Sequence, residues 1–168
     1  MILEILKYPH PLLKKQSVEI EEITPEIREL AANMLETMYE TDGIGLAAPQ
    51  IGEPIRLITV DVTGPEERTD PRIYVNPKLE LMGEDVESEE GCLSVVDYRA
   101  PVVRSEKVKL TALDIDGKPV ELEADGILAV CLQHECDHLD GKLFIDHISR
   151  LKRNMYDAKV KKWAKQNG

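Results

Sequence analysis

Five residues, His134-Glu135-Cys136-Asp137-His138, constrain this chain more than any other stretch. They lie in an apolar run, Gly126-Ile127-Leu128-Ala129-Val130-Cys131-Leu132-Gln133, that continues to Leu139. Asp125 offers an N-cap before the run and Gly141 a C′ stop beyond it, so the pattern predicts one helix. Residues four apart share a helix face, which aims the imidazoles of His134 and His138 at one point. Glu135 is displaced by one position, within reach of a water on a metal ion there without being a ligand. The plainer reading is two ordinary polar histidines on a half-buried helix. His-Glu-x-x-His on an otherwise apolar helix favours the metal site.

A catalytic site of this kind needs a third protein ligand and one open position. A histidine six residues past His138 would complete one known pattern, but that place holds Phe144. A downstream glutamate would complete another, and no Glu follows Glu135. Cysteine is the remaining candidate. Cys136 is two residues from each histidine, about 200° round the helix, and faces away. Cys131 is seven residues from His138, roughly 10 Å along the axis, too far for one coordination sphere. Cys136 therefore reads as core, and Cys131 as core or pocket wall. Cys92 remains, in Glu90-Gly91-Cys92-Leu93-Ser94, with Gly91 giving local freedom to aim its side chain. A buried small hydrophobe is the bland alternative for Cys92, and the missing third ligand favours the metal.

The 168 residues fit one domain, residues 1–168, with room for a substantial core. Aromatics make up only 4%, so Leu, Ile, Val and Ala must build that core. Three cysteines, no signal-peptide pattern in Met1-Ile2-Leu3-Glu4-Ile5-Leu6-Lys7 and no membrane-spanning run point to a soluble, cytoplasmic protein with reduced thiols. The net charge of -11 argues against nucleic acid as the main partner of the body. That charge is unevenly spread. A helix expected over residues 149–168, with an apolar stripe through Leu151, Met155 and Ala158, carries seven Lys/Arg against Asp157. It is thus +6 and leaves -17 for the rest, an asymmetry that suggests a docking surface for a polyanion.

Upstream, Thr24 and Pro25 read as N-cap and first residue of a helix. Its face is Ile27, Leu30, Ala31, Met34, Leu35 and Met38, and it should end near Asp42-Gly43. Gly43-Ile44-Gly45-Leu46-Ala47-Ala48-Pro49-Gln50 follows neither a helix nor a strand pattern and leaves the backbone almost bare, open to close approach by another chain. By itself it reads as a tight helix-to-strand connection. Residues 56–62 read as a strand, 64–70 as a polar loop, and 73–77 as a short strand closed by Pro77. Residues 79–87 are a weaker strand, and the acidic run 84–90 a solvated surface from which Glu90 is exempt. Val108, Leu110 and Ala112, then Val120, Leu122 and Ala124, alternate about Asp116-Gly117 as a hairpin with a two-residue turn.

Taken together, Gly43–Gln50, Glu90–Ser94 and Gln133–His138 resemble the three motifs of the peptide deformylase family, in order and at suitable spacing. The likeness covers nearly the whole chain, including Tyr8-Pro9 and Leu122–Gly126. It implies an α+β fold: small antiparallel or mixed β-sheets wrapped around a central metal-binding helix, with N-terminal and C-terminal helices. It also implies a hydrolase that removes the formyl group from the N-terminal formyl-methionine of nascent polypeptides. By this resemblance Cys92, His134 and His138 hold one divalent ion, typically Fe(II), replaceable by zinc, nickel or cobalt. Glu135 carries the proton, while the Gln50 amide and the Leu93 N–H stabilise the oxyanion. The backbone of Ile44 and Gly45 pairs with the substrate; Gly91, Arg99 and Cys131 also border it. The basic helix is similar to those with which bacterial members dock on the ribosome, and no sequence-specific nucleic-acid or membrane partner is implied. One departure is Val96, where members often carry Pro, which bears on the rigidity of the wall beside the site. The alternatives are a metallopeptidase using the same helix, or an inactive metal-containing binding module with His147 or His10 as a fourth ligand.

Overall fold

The computed structural model describes residues 1–167; the expected domain end at Gly168 lies outside them. The architecture is α+β. Helix α1 (Pro25–Glu40) precedes strands β1 (Gly45–Ala47) and β2 (Leu57–Val60), a one-turn helix α2 (Gly64–Glu67) and the long strands β3 (Arg72–Cys92) and β4 (Val95–Leu113). Strand β5 (Pro119–Asp125) then leads into α3 (Gly126–Leu139), and α4 (Arg150–Asn167) closes the chain. The five strands form one antiparallel sheet in sequence order, so the expected small sheets are stretches of one continuous ladder.

α3 lies on one face of this sheet and α1 on the other. Strand β2 is buried along its whole length because it is covered on both sides. Ile58 and Val60 pack with Ala129, Leu132 and Leu139 of α3. Leu57 packs with Met34 and Met38 of α1. A third cluster joins β4 to α4 through Val95, Val102, Phe144, Ile145 and Tyr156. The caps follow the sequence. Thr24 Oγ1 accepts from Ile27 N–H at the start of α1. At the end of α3, Gly141 (φ 75°) donates to His138 O and Lys142 N–H to Asp137 O, a Schellman closure that a left-handed glycine permits. Asp125 begins α3 with no side-chain capping bond.

Four expectations need correcting. Pro77 does not end its strand. Asn76 takes a left-handed conformation (φ 51°), fastens its amide to both backbone groups of Ile20, and makes a bulge through which β3 continues. The hairpin residues Val108, Leu110 and Ala112 do face the core, but its loop spans 114–118 rather than two residues. There Asp114 accepts from the N–H groups of Asp116 and Lys118, so a side chain closes the longer turn. Residues 64–70, expected as loop, contain the single turn α2. Finally, Leu151 and Met155 of the α4 stripe are exposed. The face that packs is Tyr156, Val160 and Trp163, because the larger aromatic surface meets Tyr98 and Phe144.

Candidate metal centre and its cleft

Helix α3 delivers His134 and His138 side by side, their Nε2 atoms 3.3 Å apart. The turn that joins β3 to β4, closed by the pairing of Cys92 with Val95, brings in the sulfur. Cys92 Sγ lies 3.4 Å from His138 Nε2, and the three donor atoms all fall within 4.8 Å of one another. Thiolate and two imidazoles on one point form a ligand set suited to Fe(II), zinc, nickel or cobalt. Among the described residues it is the one His/Cys/Asp/Glu group of this kind. His138 is buried and its Nδ1 has no hydrogen-bond partner. Burial raises the Cys92 thiol, but its electrostatic interaction with His138 and hydrogen bonds from both imidazoles outweigh it and hold the thiol well below its ordinary range.

Behind this triangle is a buried polar network. Glu90 Oε1 sits 2.8 Å from His134 Nδ1, and both its oxygens accept from Arg104 at 2.8 Å. Arg104 also donates to Asp137 Oδ2 at 2.7 Å, which His147 Nε2 meets from the surface at 2.8 Å. Burial would raise Glu90, yet Arg104 and His134 bring it down to about 2. The network therefore fixes the His134 ring and its tautomer, as outer partners of metal-ligating histidines do. Removing one member of such a buried pair costs about 3–5 kcal/mol, because the other charge is left uncompensated.

In front of the triangle opens a cleft of about 740 Å³. Ile44, Gly45, Gln50, Gly91, Cys92, Leu93, Arg99, Cys131, His134 and Glu135 all line it, and His138 lies behind. Glu135 is buried, with Oε1 unpartnered. Burial raises its carboxyl above the ordinary glutamate range against the pull of His134 and His138. Gly45 allows this arrangement: a Cβ there would come within 2.4 Å of Glu135 Oε2 and 2.9 Å of Cys131 Sγ. Gln50 is held at both ends of its amide. Oε1 accepts from Ala47 N–H at 3.0 Å, while Nε2 donates to Ser94 Oγ at 3.1 Å and reaches Cys92 Sγ at 3.5 Å. Gly91 pairs with Arg99 across β3 and β4, placing the guanidinium at the mouth. Cys136 is on the opposite side of α3, partly buried against the core, as its position in the helix requires.

The two histidines proposed for a closed structural site are elsewhere. His147 is bound to Asp137, and His10 Nδ1 accepts from Leu12 N–H. Phe144, at the place a third histidine would take, stacks instead on His134, ring centroids 6.3 Å apart. Sequence reasoning missed Arg104 and Asp137. Ala100, Val102 and Arg104 alternate inward along β4, so a strand assignment there would have exposed a buried cation in need of a carboxylate.

An α+β scaffold that clasps such a triangle around a His-Glu-x-x-His helix defines a metal-dependent hydrolase. Comparison with known proteins narrows the class. The sequence model of the polypeptide deformylase family matches residues 2–154. The chain is 52% identical over 165 residues to a peptide deformylase of Phenylobacterium zucineum, covering 98% of each protein. It is 50% identical over 160 residues to one from Brucella suis, covering 94% of this chain and 91% of that one. The crystal structure of a peptide deformylase from Legionella pneumophila superposes with a TM-score of 0.92 at 42% identity, covering 99% of this chain and 98% of that one. This chain belongs to the peptide deformylase family, hydrolases that remove the formyl group from nascent peptides.

Proposed function

We propose that this chain deformylates formyl-methionine polypeptides with Cys92, His134 and His138 holding one divalent ion and Glu135 carrying the proton. The observation that supports this most is the convergence of three ligand atoms within 4.8 Å, beside a cleft lined by Glu135. Bound there, the ion supplies Lewis acidity and a nucleophilic water near neutral pH. Fe(II) is the ion expected in the cell; the same donors suit zinc, nickel and cobalt.

The remaining chemistry belongs to the protein. Strand β1 is the terminal strand of the sheet, hydrogen-bonded to β2 on one edge. Its other edge, with Ile44 and Gly45, takes the extended substrate as an added strand. Cys131 borders the pocket for the methionine side chain, while Gly91 and Arg99 border the residues that follow. As hydroxide adds to the formyl carbon, Glu135 accepts the proton that water loses. Gln50 Nε2 and the Leu93 N–H are the preset donors for the negative oxygen. The C–N bond then breaks, formate leaves, and Glu135 returns the proton to the departing amine. A buried carboxyl with a raised pKa is suited to both transfers.

The chain acts as one cytoplasmic catalytic unit in this reading, with the basic C-terminal helix α4 as its dock on the ribosome. Arg150, Lys152, Lys159, Lys161, Lys162 and Lys165 are all exposed on it. No described helix is long and apolar enough to cross a membrane. The deciding measurement is formate release from a formyl-Met tripeptide by protein loaded with each candidate metal, beside cleavage of the unformylated peptide. Formate with intact peptide bonds is expected. Peptide cleavage without formate would make the protein a peptidase, and no turnover with any metal would leave a binding module.

A further inference from the structure

The cleft wall between Cys92 and Asp97 is a tight turn at the end of a hairpin. Its rigidity must come from contacts behind it, and both ends of the chain supply them. Lys7 Nζ donates to Leu93 O at 2.8 Å. Tyr8 N–H donates to Ser94 O at 2.7 Å. The hydroxyl of Tyr156, on α4, donates to Val96 O at 2.9 Å. The preceding residue of the same N-terminal strap, Leu6, donates its N–H to Gln50 O at 2.7 Å.

The strap and the helix are themselves joined. Tyr8 OH donates to Asp157 on α4, and Arg153 lies over the Tyr8 ring at 5.7 Å. Tyr156 also packs on Tyr98, a residue of the cleft, with ring centroids 4.9 Å apart. The backbones of Gln50 and of the Leu93 turn are thus tied to one strap, and the turn is tied to α4. The Leu93 N–H lies in the Cys92–Leu93 peptide plane, which meets at the Leu93 Cα the plane whose carbonyl Lys7 holds, so anchoring that carbonyl fixes one side of the hinge about which the N–H turns.

We infer that Lys7 and Tyr156 are positioning residues for the Leu93–Val96 turn, holding from behind the wall that meets the developing negative charge. The inference rests on the roles proposed above for Gln50 and Leu93. It makes α4 a brace of the active site as well as a dock. Neither residue is one of the three candidate ligands, and Lys7 is exposed, outside the core.

The test compares the metal-loaded wild type with Lys7→Met and Tyr156→Phe. Steady-state kinetics on a formyl-Met tripeptide are measured together with amide hydrogen exchange. Each variant is expected to lose about five-fold in kcat with KM changed by less than roughly two-fold, the signature of an interaction that matters in the transition state. Exchange should accelerate by a similar factor in residues 93–99 and not elsewhere. Unchanged exchange in both variants, or acceleration spread over the whole chain with kcat preserved, would overturn the brace. Should the wild type release no formate while exchange still rises locally, the brace stands and the oxyanion reading fails.

Discussion

Glu135 shows how much one side chain depends on its neighbours. A carboxylate buried with an unpartnered oxygen is costly, and the fold tolerates it beside two imidazoles that attract its charge. Its access to the cleft depends on the missing Cβ of Gly45 as much as on its own place in α3. Glu135→Gln keeps the shape and removes the carboxyl proposed to carry the proton. The variant is expected to bind its metal with unchanged stoichiometry and lose on the order of 10²–10⁴ in kcat. Metal content and formate release from the same preparation check this; near-wild-type turnover would dismiss the proton-carrying role. Glu90 teaches a related lesson. It ends an acidic run whose other carboxylates, Glu84, Asp85, Glu87 and Glu89, are exposed, yet it is buried between Arg104 and His134. Its neighbour Gly91-Cys92 was the signal that set it apart in the sequence.

Between elements, the junction of α1 with the segment after β2 offers a test against pH. Tyr39 at the end of α1 donates its hydroxyl to Asp61 Oδ2 at 2.6 Å. Asp61 is fully buried and also accepts from Thr63 and the Asp70 N–H, so one carboxylate gathers the loop that holds α2. Burial first, then the Asp61 bond, pushes Tyr39 up to about 12. The neutral phenol is therefore the form the fold stabilises. Its contribution is whole below the unfolded pKa of about 10 and is lost as pH rises through about 12. Asp61 has the opposite sign: burial raises it, but bonds from Thr63 and Tyr39 prevail, and its contribution is lost only in acid, below about pH 3.9. The urea midpoint of the wild type should fall between about pH 10 and pH 12 more steeply than that of Tyr39→Phe. Parallel alkaline limbs for the two proteins would contradict the assignment.

At the scale of the whole molecule, charge is segregated. Residues 150–168 carry +6 and the rest -17. α4 packs through Tyr156, Val160 and Trp163 and turns Lys161, Lys162 and Lys165 to solvent. A polyanion would be attracted to this helix and repelled by the body, which would orient the proposed encounter. Replacing Lys161, Lys162 and Lys165 by Gln should weaken cosedimentation with ribosomes and flatten its salt dependence, while turnover of a free tripeptide is unchanged. Equal affinity of both proteins at low salt would rule out the basic face as the dock.

The sequence by itself determined what depends on near neighbours along the chain. The Thr24 cap, the α3 span with its two histidines, the Gly141 stop and the Val108–Ala112 alternation are all set by spacings of a few residues. Cys92 as the candidate third ligand follows from excluding Cys131 and Cys136, since helix geometry limits what each can reach. Only the tertiary structure decided the rest. Cys92 meets His138 across 46 residues, and Arg104 locks Glu90 and Asp137 from an inward-facing position of β4. Lys7 and Tyr156 close on one turn from opposite ends of the chain. Such contacts depend on the path of β3 and β4, which bulges at Asn76 and after Met82 redirect. Local propensity carries no record of that path, because it is fixed by which buried surfaces pack together.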